Sequence, residues 1–134
     1  MAKAYQVAAI PVKRTATGAL RVLLVTSRDT GRWVVPKGWP WRNLKDYDAA
    51  AGEAWEEAGI KGHVATKPIG TFTYDKRRKN KLRPLKVIAY VLEVLEEAEA
   101  WPERDERHRR WFTPKAAAEA VAEEGLKEMI LGLD

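Results

Sequence analysis

The chain has 134 residues, of which 46% are hydrophobic, and it carries a formal net charge of +5. It contains no cysteine, which excludes a disulfide framework, a zinc–thiolate site and a thiol nucleophile. The length predicts a single domain, residues 1–134, with enough apolar material for one core. The basic balance favours an anionic partner, such as a nucleic acid, a membrane surface or a phosphorylated small molecule.

The N-terminal segment, MAKAYQVAAIPVKR, lacks the long apolar core of a signal peptide. No apolar run elsewhere approaches the length of a membrane span. These features predict a soluble, cytoplasmic protein that has no membrane partner.

The first part of the chain predicts a series of strands. Residues 5–12 are apolar and β-branched, and Gly18 marks a hairpin turn before a buried strand at residues 20–26. After a polar turn, residues 33–35 predict a short strand. The following sequence, PKGWP at residues 36–40, predicts an irregular loop because its prolines and glycine interrupt regular structure.

Residues 46–58 are rich in alanine and contain no proline, which predicts a helix with Gly59 as a left-handed C-cap. Asn43 and Asp46 are both possible N-caps. The predicted core-facing stripe of this helix consists of Ala51, Ala54, Trp55 and Ala58.

Three glutamates of this helix, Glu53, Glu56 and Glu57, fall within one arc of about 100°. They repel one another, and they lie near the C-terminal end of the helix, where its dipole disfavours negative charge. No lysine or arginine within the helix compensates. A solvated acidic face is one interpretation, but the cluster favours a divalent-cation site. Carboxylates without cysteine ligands suit Mg²⁺ or Mn²⁺.

A dense basic block follows a strand-like segment at residues 63–74, which Pro68 and Gly70 interrupt. Its members are Lys76, Arg77, Arg78, Lys79, Lys81 and Arg83, with Lys86 as the next strand begins. The block predicts a hairpin tip. Such a tip is either a solvated loop or a surface whose field favours a substrate bearing several phosphates.

The C-terminal part predicts two more strands and a helix. Residues 85–95 form the most strand-like segment, and residues 107–112 alternate as a last strand, with Arg107 and Arg109 on one face. Thr113 and Pro114 then open a helix over residues 115–124. Gly125 is expected to break it before a short final turn or helix, and the mixture of strands and helices argues for a layered α/β domain.

The segment that opens at Gly38 resembles the Nudix box, G-x5-E-x7-R-E-U-x-E-E-x-G-U. Two positions depart from it, because Leu44 stands where the first Glu belongs and Gly52 where the Arg belongs. In the family, that Arg helps to orient a glutamate. The positions in register after the first glycine are Glu53, Ala54, Glu56, Glu57, Gly59 and Ile60. The resemblance implies a Nudix fold, a mixed β-sheet sandwiched between α-helices, in which the three glutamates bind divalent metal.

Other segments resemble the diphosphoinositol polyphosphate and diadenosine polyphosphate phosphohydrolases of this family. They are PKG, the basic tip, YVLEV, AWPE and RRWFTPKAA. The resemblance implies a long, highly anionic substrate. By position, the substrate-binding residues would be Lys86, Arg107 and Arg109, with Arg28 and Lys37 behind them. Lys37 is otherwise an ordinary solvated lysine.

The implied reaction is attack of water on a phosphorus of the anhydride, assisted by Mg²⁺ (or Mn²⁺). The general base stays open between Glu53 or Glu57 and a carboxylate beyond the box. The candidates beyond the box are Glu96, Glu97, Glu103 and Glu106.

Two alternatives accompany this expectation. One is a Nudix enzyme acting on ADP-ribose, a nucleotide sugar or an RNA 5′ end. The other is a catalytically decayed Nudix fold that senses polyphosphates. The expected partner is a phosphorylated small molecule rather than a nucleic acid, because the basic tip has only Tyr74 as an aromatic neighbour. The expected assembly is a monomer or a homodimer.

Overall fold

A computed structural model describes residues 4–78 and 80–133, so Lys79 of the basic block lies outside the described residues. Within them, eight strands form one mixed sheet between three helices. The strands are β1 (Tyr5–Arg14), β2 (Leu20–Thr26), β3 (Trp33–Val34), β4 (Lys37–Gly38), β5 (Ile60–Val64), β6 (Gly70–Arg78), β7 (Lys81–Glu97) and β8 (Arg109–Phe112). The helices are α1 (Asp46–Ala58), α2 (Pro114–Ala120) and α3 (Glu124–Leu131). This arrangement confirms the predicted α/β fold.

Strand β1 is the centre of the sheet. It pairs in parallel with β7 on one edge, while its other edge pairs antiparallel first with β4 and then with β2. Pro11 lies between these two partners, where the missing N–H breaks no ladder hydrogen bond on that edge. A proline can therefore stand inside a central strand.

The buried stretches of the central strands are almost entirely apolar because both faces of the sheet are covered. In β1, Val7 and Ala9 pack toward α1, whereas Ala8 and Ile10 pack toward α2 and α3. The alternation of a strand places successive side chains on opposite faces. The sheet therefore separates two buried clusters, and α1 lies alone on one of its sides. None of the helices in the described part of the chain is long and apolar enough to cross a membrane.

Helix α1 has the predicted bounds, and Gly59 ends it at φ 67° with its N–H donating to the carbonyl of Trp55 at 3.0 Å. The predicted N-caps are wrong, because Lys45 occupies the cap position without a side-chain hydrogen bond. The predicted stripe is shifted: Ala51 and Trp55 are only partly buried. The buried residues are Ala49, Ala50, Ala54, Glu57 and Ala58, so α1 approaches the sheet through alanines.

Three further predictions are corrected in the irregular segments. The PKGWP loop contains a short strand, β4, because it pairs with β1. The predicted basic hairpin is present, but most of its basic block is strand rather than tip, since β6 and β7 remain paired as far as Arg78 and Lys81. Arg107 precedes β8, which begins at Arg109, so the two arginines do not share a strand face.

The C-terminal helices also differ in their break point. Helix α2 ends at Ala120, and Gly125 lies inside α3 rather than between helices. A Cβ on Gly125 would lie 3.0 Å from Cβ of Phe72, so glycine lets α3 approach β6 closely.

Candidate active site

A cavity of about 520 Å³ opens where β4 and the following loop face the C-terminal half of α1. The four carboxylates that line it are Asp29, Glu53, Glu57 and Glu103. The basic side chains that line it are Arg28, Lys37, Lys76 and Arg107. The cavity therefore combines an acidic helix surface with basic walls.

Glu57 is the most deeply buried of these carboxylates, with an exposed fraction of 7%. Its Oε1 accepts the backbone N–H of Lys37 at 3.4 Å, and its Oε2 lies 3.7 Å from Nη2 of Arg107. Burial raises the pKa of Glu57 to about 8, although the charge of Arg107 acts in the opposite direction. A carboxylate desolvated to this degree fits a site that supplies a cation.

Glu53 lies one helical turn before Glu57, beside strand β4. Its Oε2 accepts the indole N–H of Trp41 at 2.8 Å. A Cβ on Gly38 would overlap the Glu53 carboxylate, so glycine at this position leaves room for that carboxylate beside β4. The first glycine of the box therefore has a steric reason in this chain.

Glu56 is partly buried and does not line the cavity within the described residues. Its backbone carbonyl accepts the N–H of Glu103 at 3.0 Å. No group of three acidic or histidine side chains in residues 4–78 and 80–133 is gathered closely enough to hold a metal ion. The donor chemistry of Glu53 and Glu57 still fits a hard divalent cation, and the full ligand trio stays a prediction.

Arg107 is largely committed to protein partners. Its side chain has an exposed fraction of 9%, and its Nε lies 2.7 Å from Oε1 of Glu103. Its Nη1 donates to the carbonyl of Thr26 at 3.0 Å. Since it also faces Glu57, Arg107 lies between two acidic side chains of the cavity wall.

Arg109 has a different position from its predicted partner Arg107. Its guanidinium donates to the carbonyls of Ala58 at 2.8 Å and Ala98 at 2.6 Å, and it stacks 4.1 Å from the ring centroid of Trp101. It thereby satisfies carbonyl groups at the end of α1 and does not line the cavity as described. Its predicted phosphate contact stays a prediction that this arrangement does not favour.

Of the remaining predicted substrate-binding residues, two line the cavity and one does not. Arg28 lines the cavity with an exposed fraction of 54% and pairs with Glu106 at 3.2 Å. Lys37 also lines it, with Nζ 4.2 Å from the ring centroid of Tyr74, and burial lowers the pKa of this lysine. Lys86 is exposed on β7 and is not among the cavity-lining residues that the structure describes.

The four proposed general bases beyond the box differ in their position relative to the cavity. Glu103 lines the cavity, whereas Glu106 pairs with Arg28. Glu97 accepts hydrogen bonds from Lys13 and Trp111, and with Glu96 it lines a separate depression beside Trp55. Glu103 is therefore the best placed of the four.

Sequence reasoning missed Trp39 and Trp41, which both line the cavity. The signal was present in the sequence GWPW, two aromatic residues next to the box glycine. Nothing in their spacing indicated that one indole would bond a helix carboxylate, since Trp41 and Glu53 are separated by a loop.

The sequence was compared with models of known protein families. Residues 4–132 match the family model described as the NUDIX domain. The chain therefore belongs to the Nudix family. The family assignment agrees with the mixed sheet between helices and with the acidic helix beside the cavity.

Among curated relatives, the chain is 36% identical over 116 residues to "Nudix hydrolase 12, mitochondrial" from Arabidopsis thaliana, covering 83% of this chain and 57% of that protein. It is 35% identical over 103 residues to human "Diphosphoinositol polyphosphate phosphohydrolase 3-beta", covering 75% and 59% respectively. The chain thus spans less than two thirds of the length of these relatives. Their activities come to it as proposals.

Solved structures agree on the fold. The E. coli dihydroneopterin triphosphate pyrophosphohydrolase superposes with a TM-score of 0.72 at 15% identity, covering 96% of this chain and 93% of that chain. A C. elegans Ap4A hydrolase superposes with a TM-score of 0.65 at 17% identity and the same coverage. At these identities the likeness concerns the fold alone.

Proposed function

We propose that this chain is a Nudix pyrophosphohydrolase that cleaves phosphoanhydride bonds in a highly anionic polyphosphate, with Mg²⁺ or Mn²⁺ as cofactor. Diphosphoinositol polyphosphates and diadenosine polyphosphates are the proposed substrates. The observation that carries the proposal is a single cavity in which Glu53 and Glu57 face basic walls. Such a cavity offers carboxylate oxygens to a divalent cation and basic side chains to phosphates.

The carboxylates of α1 would hold the cation, with Glu53 and Glu57 one turn apart and Glu56 beside them. When bound, a divalent cation supplies polarisation of the phosphoanhydride and a water of lowered pKa. Glu103 is placed to accept a proton from the attacking water, and Glu53 and Glu57 are the alternatives. These roles use the carboxylates that line the cavity.

The basic residues would orient the polyphosphate. Arg28, Lys37 and Lys76 line the cavity and are proposed to contact phosphate oxygens. The adjoining β6–β7 hairpin adds positive charge, which concentrates anionic substrates near the opening. Arg107 is proposed to hold Glu57 and Glu103 in position and to contact phosphate only at the edge of its guanidinium.

Trp39 favours a nucleotide-containing substrate among the proposed polyphosphates. Its side chain lines the cavity with an exposed fraction of 47%, and Nζ of Lys76 lies 5.9 Å from its ring centroid. An exposed indole offers a stacking surface for a nucleobase, which an inositol ring does not use in this way. Diadenosine polyphosphates are therefore the preferred substrates within this proposal.

The test measures phosphate release from diadenosine hexaphosphate, an inositol pyrophosphate and ADP-ribose, each with Mg²⁺ and with Mn²⁺. Turnover of either polyphosphate but not of ADP-ribose supports the proposal, and a loss of the dinucleotide activity alone in Trp39→Ala supports the stacking role. Turnover of ADP-ribose alone contradicts the proposed substrate. Tight binding without turnover of any compound contradicts the enzyme and favours a polyphosphate sensor.

A further inference from the structure

The loop after β4 reaches the carboxylate of Glu53 through one side chain. The indole Nε1 of Trp41 donates to Oε2 of Glu53 at 2.8 Å, and the Trp41 side chain is partly buried. A hydrogen bond to an ionised carboxylate is stronger than one between neutral groups, and burial of the ring restricts its direction. Glu53 is therefore tethered from outside its own helix.

The outer edge of the same indole rests on Gly52. A Cβ at residue 52 would lie 2.6 Å from Cη2 of Trp41 and 2.8 Å from Cζ2, which are distances that no real Cβ tolerates. Glycine inside a helix is destabilising relative to alanine, and α1 is otherwise rich in alanine. The glycine thus has a steric purpose, which is to admit the indole.

Both contacts are made by the same indole ring of Trp41. The ring packs on the residue that precedes Glu53, while its N–H bonds the Glu53 carboxylate. Gly38 closes the opposite side, since a Cβ there would overlap that carboxylate. The Leu44 side chain is exposed, and the backbone N–H of Leu44 donates to the carbonyl of Trp41 at 3.3 Å. The contacts leave the Glu53 side chain little freedom to rotate away from the cavity.

We propose that Trp41 is a positioning residue for Glu53 and that Gly52 is its steric complement. The pair does in this chain what an arginine at position 52 would do by charge, and it explains why that position is glycine here. The inference rests on the proposed function, because the purpose of the tether is to present Glu53 to a divalent cation. It adds a positioning role for a residue that lies outside the helix and does not itself bind the cation.

The experiment measures the dissociation constant of Mn²⁺ alone by electron paramagnetic resonance, with thermal unfolding of the metal-free protein beside it. Trp41→Phe removes the N–H and the ring atoms that reach Gly52, and we expect Mn²⁺ affinity to fall about 10-fold. Trp55→Phe, a matched change on α1 away from the cavity, is expected to leave the affinity unchanged. Glu53→Gln is the reference for complete loss of this ligand.

Gly52→Ala is the second test because it keeps Trp41. At an ordinary helix position this substitution raises the unfolding temperature. Here we expect it to lower that temperature and to weaken Mn²⁺ binding about 10-fold, because the new Cβ displaces the indole. In the Trp41→Phe background, where the ring no longer reaches residue 52, the same substitution is expected to change Mn²⁺ affinity less than about 2-fold.

Two outcomes overturn the inference. If Trp41→Phe and Gly52→Ala bind Mn²⁺ like the wild type while Glu53→Gln binds it weakly, Glu53 needs no tether and the proposed function stands. If Glu53→Gln also binds Mn²⁺ like the wild type, the proposed metal site itself is wrong and the positioning role is lost with it.

Discussion

The acidic floor of the cavity, Glu53 and Glu57 on α1, differs in construction from the basic hairpin, residues 76–78 and 80–83. The floor is held by packed contacts from β4, Trp41 and Arg107. The hairpin is held mainly by pairing between two strands, and Leu82 at its end is exposed. One region depends on the position of single atoms, and the other depends on summed charge.

The two regions are therefore expected to differ in their sensitivity to substitution and to salt. Substitutions in the floor are expected to have large effects that salt changes little, because the interactions are buried. Substitutions in the hairpin are expected to have small, additive effects that salt screens. The predictions below test this division.

The largest effect is expected for Glu57→Gln. The amide keeps the shape of the side chain but cannot supply a charged ligand, so we expect metal-dependent turnover to be abolished. Steady-state phosphate release measures it, and Glu128→Gln on α3 is the matched control on the other face of the sheet. A rate near that of the wild type would contradict the assignment of the floor.

Arg107→Met is expected to be the most destabilising change in the cavity wall. It leaves Glu57 and Glu103 without their common positive partner, and removing one member of a buried ion pair costs about 3 kcal/mol. Urea denaturation measures the free energy of unfolding. The control is Arg110→Met at the exposed arginine nearby, which should change the free energy of unfolding by less than about 1 kcal/mol. Equal losses of stability in both variants would refute a buried ion pair at Arg107.

Gly38→Ala tests the steric part of the floor. The added Cβ would overlap the carboxylate of Glu53 and push it from the cavity, so we expect Mn²⁺ affinity to fall about 50-fold. Gly70→Ala is the matched control, since its Cβ would meet only the flexible end of Met129. Unchanged affinity in Gly38→Ala would show that the floor adapts and would weaken the comparison.

The smallest effect is expected for the hairpin. Neutralising Lys81 and Arg83 together by glutamine should lower kcat/KM for a long polyphosphate about 5-fold at low salt, and the loss should shrink at high salt. The control neutralises Lys67 and Lys115, which lie outside the cavity. A loss of kcat/KM that persists at high salt would show that these basic side chains make direct contacts with the substrate, as is proposed for the floor.

Much of the scaffold could be predicted because its signals are local. Helix α1 has the predicted bounds since an alanine-rich run ends at a glycine that adopts the left-handed conformation. The buried strand β2 follows from a nearly all-apolar run of the predicted length. The prediction failed at β4, where pairing with the distant strand β1 decided the conformation. The basic hairpin was predicted, but its strands are longer than expected because β6 and β7 stay paired up to the turn.

The site was predicted less completely than the scaffold. Spacing put three glutamates on one arc of α1, but the structure lines the cavity with Glu53, Glu57 and Glu103 instead of Glu56. Arg107 and Arg109 were assigned the same role by the family resemblance, and alternation was expected to put them on one face of a strand, but that strand does not include Arg107. Alternation applies only within a strand, and the start of β8 depends on its pairing with β2.

The sequence by itself determined the family, the acidic helix and the hard chemistry of its ligands, because these depend on residue types at short, regular spacings. The tertiary structure alone decided which carboxylate is buried, which arginine faces it and which indole tethers Glu53. Those contacts join residues far apart in the chain. They form only when the sheet brings β4, α1 and the segment before β8 together. The periodicity of residues within one element does not predict such contacts between elements.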